Sequence, residues 1–230
     1  MRRRYVAVLA VVVALFGAAC SGSSSPTTAS STSSASSSGS ANIGGTAPDT
    51  GAVAWPLPSA DRVAQLASSA GLQLETHESL TFHVHAHLDI FINGEHRTVP
   101  GGIGIVITDD RVHSGTVDGA PAYGGIAAAC LQPCISPLHT HDITGTLHTE
   151  SSTPTPNTLG QFFKEWDVRL DAQCVDTFCT PATSIAMYVN GTSMNLSAAA
   201  GLPLTDHEEI AIVIGTPPAR IPSAGDFSAA

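Results

Sequence analysis

The sequence is poor in charged and aromatic residues. Only 12% of the 230 residues are Asp, Glu, Lys or Arg, and 5% are Phe, Trp or Tyr, whereas an average soluble domain is about 25% charged. Two segments account for most of this shortage, namely a short apolar stretch at the N-terminus and a Ser/Thr/Ala-rich tract behind it. Without them about 180 residues remain, which is enough for one domain or two small ones.

Basic residues are especially scarce. Three of the nine lie in the N-terminal stretch, so the rest of the chain has six Lys or Arg against 19 Asp or Glu, a net charge of −13 with neutral histidines. Nucleic-acid binding needs a basic face. We therefore expect no nucleic-acid partner.

Several catalytic motifs are also missing. H-E-x-x-H, G-x-S-x-G and G-x-x-x-x-G-K-[ST] do not occur in the sequence, which argues against the enzyme classes that these motifs mark. The cupin spacing of H-x-H with a Glu four or five residues later fails, because the first Glu after His87 is Glu95. Three methionines are too few for a Met-rich cuprous copper site.

Residues 1–19 have the layout of a bacterial export signal. Three arginines precede an apolar run that ends at Phe16, and small residues follow up to Cys20. The run is shorter than the roughly 20 residues that a membrane-spanning helix needs. Cleavage before Cys20 resembles the lipobox of bacterial lipoproteins, although Gly17 stands where the lipobox usually has Leu. This resemblance implies a diacylglycerol on Cys20, and an ordinary cleaved signal is the alternative.

The chain behind the signal divides by composition. Residues 20–55 consist almost entirely of Ser, Thr, Ala, Gly and Pro after the cysteine, so they cannot bury enough apolar surface to form a core and are predicted to be a disordered tether. A single domain is predicted over 56–222 and a short tail over 223–230. This layout predicts a lipid-anchored protein on the outer face of the bacterial cytoplasmic membrane, with the membrane as its one identifiable partner.

Four further cysteines follow Cys20. An even number in an exported chain predicts disulfides, and sequence alone does not separate the three possible connectivities. The short spacing within 130–134 and within 174–179 favours one disulfide in each of these two segments. Disulfides between the two segments would close longer loops and so stabilise the domain more. The favoured pairs are Cys130 with Cys134 and Cys174 with Cys179.

The clearest predicted strand begins at Thr81. Apolar residues alternate with polar ones as far as the Asn93-Gly94 turn, which is a strong signal for a type I′ hairpin, and residues 95–99 return. Side chains two positions apart share one face of a strand. The polar face of this strand is predicted to hold His83, His85, His87 and Asp89.

The clearest predicted helix follows Thr158. Thr158 and Gln161 form a capping box, and apolar residues recur at helical spacing as far as Trp166. The other predicted elements are a helix at 60–70, a strand at 103–107, a loop at 114–129, strands on both sides of a turn at 143–145, and strands at 185–189 and 209–214.

These elements predict an α+β fold in which antiparallel β-hairpins pack on one main helix. The segments MYVNG (187–191) and LTDHEEI (204–210) are similar to the end of transcobalamin C-terminal-like domains, which implies a β-grasp-like arrangement. The segments HVHAHLDIFING, PLHTHDITGTLHTES and TLGQFF resemble a family of His-rich exported lipoproteins of high-GC Gram-positive bacteria. That second resemblance implies no particular activity.

Histidines at alternate positions predict a metal site. If the turn at 143–145 pairs its flanking strands, His148 falls near His141 and Glu150 near His139. Neighbouring strands would then offer several imidazoles to Zn²⁺ or Cu²⁺, whereas a single H-x-H is more often a solvated polar face. The predicted ligands, lining one cavity, are His83, His85, His87, His139, His141 and His148, with Asp142 as a turn former and Glu150 as a supporting partner behind the ligands.

Three functions remain open at this stage. The favoured one is a non-catalytic surface lipoprotein that binds Zn²⁺ or Cu²⁺. A zinc hydrolase or lyase with three histidines and an open position is the second, and its ligand pattern resembles that of α-type carbonic anhydrases. The third is an interaction module without a metal, whose histidines respond to pH. Four protein ligands favour binding, whereas three with an open cavity favour catalysis.

Overall fold

A computed structural model describes residues 54–124 and 129–227. The predicted signal, Cys20 and the tether up to residue 53 lie outside the described residues. The described part has the predicted α+β class, with far more sheet than helix. None of its helices has the length and apolarity needed to cross a membrane.

The described helices and strands are short apart from one long strand. The helices are α1 (Val63–Ser69) and α2 (Leu159–Glu165), with 3₁₀ turns at Ala60–Arg62 and Leu196–Gly201. The strands are β1 (Phe82–Ile92), β2 (Glu95–Arg97), β3 (His113–Val117), β4 (Ala120–Gly124), β5 (Leu138–His139), β6 (Thr146–Ser151), β7 (Cys174–Val175), β8 (Phe178–Cys179), β9 (Ile185–Val189), β10 (Thr192–Met194) and β11 (Glu208–Ile214).

Seven of these strands form one mixed sheet. Its order is β10-β9-β11-β1-β6-β5, and β2 pairs with the end of β1 that β6 leaves free. The central strands β1 and β11 run parallel, and the other neighbours are antiparallel. The long β1 thus joins the N-terminal and C-terminal parts of the domain.

Helix α2 covers one face of this sheet. Its capping box is present, since the Thr158 side chain accepts from the Gln161 N–H and the Gln161 side chain accepts from the Thr158 N–H. The apolar face of α2 packs in one buried cluster with Ala86, Leu88 and Ile90 of β1. Full burial of a large apolar side chain stabilises a fold by about 1.5–3 kcal/mol, so this packing fixes which face of β1 points away from the helix.

The structure differs from the sequence prediction in two loop regions. The predicted loop at 114–129 is wrong where β3 and β4 form a hairpin. The turn of this hairpin, at Asp118 and Gly119, has φ values of 51° and 80°. Residues 125–128 are outside the described part. The predicted strand at 103–107 is also wrong. Gly104 has φ 76°, and a Cβ at Gly101 would lie 2.6 Å from the Asp142 Cα, so this segment turns tightly against its neighbours.

The disulfides and the first described residues lie close to the core. Disulfides join Cys130 to Cys134 and Cys174 to Cys179, which confirms the local pairing. Ala54 and Trp55, assigned by composition to the tether, contact the domain. The Trp55 ring lies 5.4 Å from that of Trp166, and its indole N–H donates to Asp176 at 2.9 Å.

Candidate metal centre

Three adjacent strands place histidines side by side. In the register of β1 with β6, His85 lies directly opposite His148, and in that of β5 with β6, His148 lies opposite His139. Residues directly opposite on neighbouring antiparallel strands have Cβ atoms about 4.5–5.5 Å apart. The imidazole of His148 therefore stands between two others, on the sheet face away from α2.

One group of potential ligands lies on the β1 side of His148. The Glu150 Oε1 atom is 3.1 Å from the His83 Nε2 atom and 3.4 Å from the His148 Nδ1 atom. The His85 ring centroid is 4.4 Å from that of His83 and 4.5 Å from that of His148. One ligand atom from each of these four residues lies within 4.8 Å of every other.

A second group lies on the β5 side. His139 and His141 bring their Nε2 atoms to 3.3 Å, and the His141 ring centroid is 4.3 Å from that of His148. His139, His141, His148 and Glu150 again offer four ligand atoms within 4.8 Å of one another. The two groups share His148 and Glu150, and we call the six side chains, His83, His85, His139, His141, His148 and Glu150, the histidine cluster.

Backbone carbonyls fix the orientation of two of these rings. The His139 Nδ1–H donates to the Ser136 carbonyl at 2.8 Å, and the His141 Nδ1–H donates to the Tyr123 carbonyl at 2.7 Å. A carbonyl only accepts hydrogen bonds, so in the neutral rings both Nε2 atoms carry lone pairs, and these face each other. Metal-binding histidines are commonly oriented in this way by an acceptor on the other ring nitrogen.

The 3.3 Å separation matches the size of a metal site. Two nitrogens each about 2.05 Å from a tetrahedral metal are about 3.3 Å apart. Facing lone pairs without a cation or a proton between them repel each other. The Nε2 atoms of His139 and His141 therefore have the separation that two ligands of one ion would have.

Several polar atoms of this region are buried without a hydrogen-bond partner in the described part of the chain. They include the His85 Nε2, His148 Nδ1 and Glu150 Oε2 atoms. Leaving such an atom unsatisfied costs about 1–3 kcal/mol. All three side chains belong to one of the groups that could hold a metal ion, so a bound cation would supply a partner on this side of the histidine cluster.

Burial keeps the central imidazoles neutral. It lowers the pKa of His148 to about 2, and the pKa of His139 is well below its usual value for the same reason. Burial also lowers the pKa of His85, with the neighbouring His83 adding to the effect. Because a metal binds the neutral ring, these three side chains are ready to act as ligands at neutral pH.

Glu78 also approaches the histidine cluster, and nothing in the sequence indicated it. Its Oε1 atom is 4.0 Å from the His141 Nε2 atom and is buried without a hydrogen-bond partner in the described part of the chain. A cavity of about 340 Å³ reaches this corner, lined by Glu78, His113, Tyr123, His141 and their neighbours. No local motif marks Glu78, since the loop that carries it meets His141 only in the tertiary structure.

The remaining predicted partners occupy different positions. Glu150 lies opposite His83 rather than His139. Its carboxylate is therefore in the position of a possible ligand, whereas the sequence predicted a supporting partner behind the ligands. Asp142 caps its own turn, because its carboxylate accepts the Thr144 N–H at 2.8 Å. The predicted pairing of residue 139 with 150 fails because β5 ends at His139 and the connection to β6 is longer than three residues.

His87 does not join the histidine cluster. It projects from the same face of β1 but meets Glu209 of β11, whose Oε2 atom is 2.8 Å from His87 Nδ1. Burial alone lowers the pKa of His87, but pairing with Glu209 and Asp89 outweighs it and the pKa is raised. The prediction that all six histidines line one cavity therefore differs from the structure at His87.

The other histidines lie apart from the histidine cluster or at its edge. His77, His96 and His207 are exposed, and His113 lies at the mouth of the cavity beside Glu78. The structure thus brings five of the six predicted histidines together with Glu150, in two overlapping groups that could hold a metal ion. Comparisons of the chain with protein-family profiles, with curated proteins and with solved structures found no match.

Proposed function

We propose that this chain is an exported lipoprotein whose domain binds Zn²⁺ or Cu²⁺ through the histidine cluster. Its place would be the outer face of the bacterial cytoplasmic membrane, with Cys20 as the lipid anchor. The sequence of residues 1–55 supports export and anchoring, and the two disulfides fit an oxidising compartment. Membership of the His-rich lipoprotein family and a β-grasp-like arrangement belong to the same proposal, and the parallel β1 and β11 pair beside α2 supports the latter.

The facing Nε2 atoms of His139 and His141 carry the metal assignment. Their rings are held by the Ser136 and Tyr123 carbonyls, so the site is oriented before a metal arrives. Imidazole nitrogens with one carboxylate suit Zn²⁺ and Cu²⁺ better than Mg²⁺ or Ca²⁺, which prefer oxygen ligands. Enough protein ligands are present for a closed site, which favours binding or delivery of the metal over catalysis.

The test is a titration of the metal-free full chain with Zn²⁺ and with Cu²⁺. We expect the His85→Ala, His141→Ala double variant to bind at least about 100-fold more weakly than the wild type at the histidine cluster, because it removes one imidazole from each group. A His77→Ala variant removes an exposed histidine that is not part of the cluster and should bind like the wild type. Cu²⁺ bound to the wild type should give an electron paramagnetic resonance spectrum with coupling to at least three nitrogens.

Equal and weak binding by the wild type and the His85→Ala, His141→Ala variant would overturn the metal assignment. The histidines would then form a solvated polar face, and the domain would be better described as an interaction module. Circular dichroism of each variant identifies a loss of binding that comes from unfolding.

The cavity beside His141 favours a zinc hydrolase or lyase as a second candidate. It is lined by Glu78 and His113, so a small substrate could reach one end of the histidine cluster. Water bound to a zinc with three histidine ligands has a pKa near 7 and attacks carbonyl or phosphoryl groups. Hydration of CO₂ and hydrolysis of an activated ester by the zinc-loaded chain, lost in Glu78→Gln, would support this candidate, whereas rates equal to those of free zinc would exclude it.

A further inference from the structure

A third group of potential ligands lies on the same face of β1, two residues beyond His85. Three side chains compose it, namely His87 and Asp89 of β1 and Glu209 of β11, and one ligand atom from each lies within 4.8 Å of the others. The parallel register sets His87 beside Glu209. Residues two apart on a strand are separated by about 7 Å, so this group is adjacent to the histidine cluster but distinct from it.

The imidazole of His87 is oriented as a ligand. Its Nε2–H donates to the Thr144 carbonyl at 2.7 Å, which directs Nδ1 toward the carboxylates. The Nδ1 atom is 2.8 Å from the Glu209 Oε2 atom and 4.0 Å from the Asp89 Oδ2 atom. Ligand atoms around a tetrahedral metal are about 3.3 Å apart. A small lengthening of the His87–Glu209 distance and shortening of the His87–Asp89 distance would therefore make room for an ion between the three side chains.

The group contains two carboxylates and only one imidazole. The side chain of Glu209 is fully buried, and its Oε1 atom has no hydrogen-bond partner in the described part of the chain. Asp89 brings a second carboxylate, 14% exposed, and His87 can supply at most one positive charge. The other Asp89 oxygen, Oδ1, is 2.8 Å from the Nε2 atom of the exposed His96. A divalent cation would neutralise both carboxylates and leave His87 neutral, which reduces the cost of burying charge.

The C-terminal segment closes the group from one side. A Cβ at Gly225 would lie 2.7 Å from the His87 Cβ and 3.0 Å from the Glu209 Oε2 atom. The Phe227 ring centroid is 6.3 Å from that of His87. The side chains of His87 and Asp89 are consequently only 13% and 14% exposed, so a bound ion would be partly screened from solvent.

We propose that His87, Asp89 and Glu209 form a second divalent-metal site, with one nitrogen and at least two carboxylate ligands. Two oxygen ligands make it a harder site than the histidine cluster, suited to Zn²⁺ or Mn²⁺ and poorly suited to cuprous copper. The site does not depend on the histidine cluster, because it shares no side chain with that cluster.

The experiment counts bound Zn²⁺ at pH 7 by equilibrium dialysis and metal analysis of the full chain. We expect Glu209→Gln to bind one Zn²⁺ fewer than the wild type. Glu208→Gln is the matched control, because it removes the same charge from the same strand but on the opposite face, and it should bind as many ions as the wild type. The His85→Ala, His141→Ala variant should keep the ion that depends on Glu209.

The outcomes separate this proposal from that of the histidine cluster. The same number of ions in Glu209→Gln and the wild type would overturn the second site and leave His87 and Glu209 as an ion pair. An ion lost only in Glu209→Gln, with none lost in the His85→Ala, His141→Ala variant, would support the second site and contradict the proposed function. If Glu209→Gln does not fold, Asp89→Asn provides the same comparison at a less buried position.

Discussion

Glu150 lies directly opposite His83 across β1 and β6, and the Glu150 Oε1 atom is 3.1 Å from the His83 Nε2 atom. The same oxygen is 3.4 Å from the His148 Nδ1 atom. One carboxylate oxygen therefore touches two imidazoles from different strands. This position makes Glu150 the one carboxylate among the side chains of the histidine cluster.

Glu150→Gln should weaken metal binding more than its small change in shape suggests. The amide keeps the volume but removes the charge, so we expect the affinity for Zn²⁺ to fall at least about tenfold. Glu95→Gln, at an exposed position on β2, is the control and should change little. Calorimetric titration of both variants measures the effect, and equal affinities would show that Glu150 is not a ligand.

Gly124→Ala should impair the metal site without replacing any ligand. A Cβ at this position would collide with the His141 ring, whereas a Cβ at Gly115 in the same hairpin meets nothing within 4 Å. We expect Gly124→Ala to lower Zn²⁺ affinity by about tenfold or more, because His141 must rotate away from its carbonyl partner. Gly115→Ala should bind as the wild type does, and similar binding by both variants would exclude a role for the His141 orientation.

The metal-free protein should lose stability in mild acid. Burial lowers the pKa of His139 and His148, so below about pH 6.5 the unfolded chain takes up protons at these residues that the folded chain does not. Their contribution to the free energy of unfolding is present above pH 6.5. It is lost as the pH falls toward the pKa of the folded state, at up to about 1.4 kcal/mol per pH unit for each group. Urea unfolding at pH 7, 6 and 5 measures this, and His148→Gln should show a shallower dependence than the wild type.

Glu165 should give a pH dependence of the opposite sign. It lies in the core on α2, and burial raises its pKa to about 8. The neutral carboxyl contributes fully to the free energy of unfolding below the pKa of about 4.5 that it has in the unfolded chain. This contribution is lost as the pH rises through 8, at up to about 1.4 kcal/mol per pH unit. Glu165→Gln should remove this loss, so the difference in unfolding free energy between variant and wild type should grow from pH 5 to pH 9. A constant difference would contradict the assigned protonation state.

Cys20→Ser should release the protein from the membrane fraction. The expectation follows from the export signal and the tether, since the lipid would be attached to this thiol. Fractionation of cells producing either form, with the soluble domain detected by antibody, measures the distribution. A variant that stays membrane-bound and is processed as before would exclude the lipoprotein assignment.

Local patterns predicted the elements of this fold well. The alternation from Phe82 to Ile92 gave both the strand and its polar face, and the Thr158 capping box gave the start of α2. The hairpin at Asp118-Gly119 is not predicted, although Asp-Gly is itself a type I′ signal, because its flanking residues lack a strong apolar alternation. The apolar run at 103–107 was misleading because glycines around it allow tight turns against buried neighbours.

Long-range pairing decided the parts of the site that the sequence did not predict. His87 lies with Glu209 only because β1 and β11 are parallel neighbours, more than 100 residues apart in the chain. Glu78 reaches His141 through a loop with no recognisable motif. Spacing along one strand identifies which side chains share a face, but it does not tell which distant strand comes to lie beside them.

The alternation of β1 also restricts how this chain can diverge. The same strand supplies Leu88 and Ile90 to the core and His83, His85 and His87 to the opposite face. Insertion or deletion of a single residue within β1 would exchange the two faces beyond that point and damage both packing and metal ligands. Relatives with the same function should therefore vary in loop length, whereas their counterparts of β1 should keep a constant number of residues between the histidines and the apolar core positions.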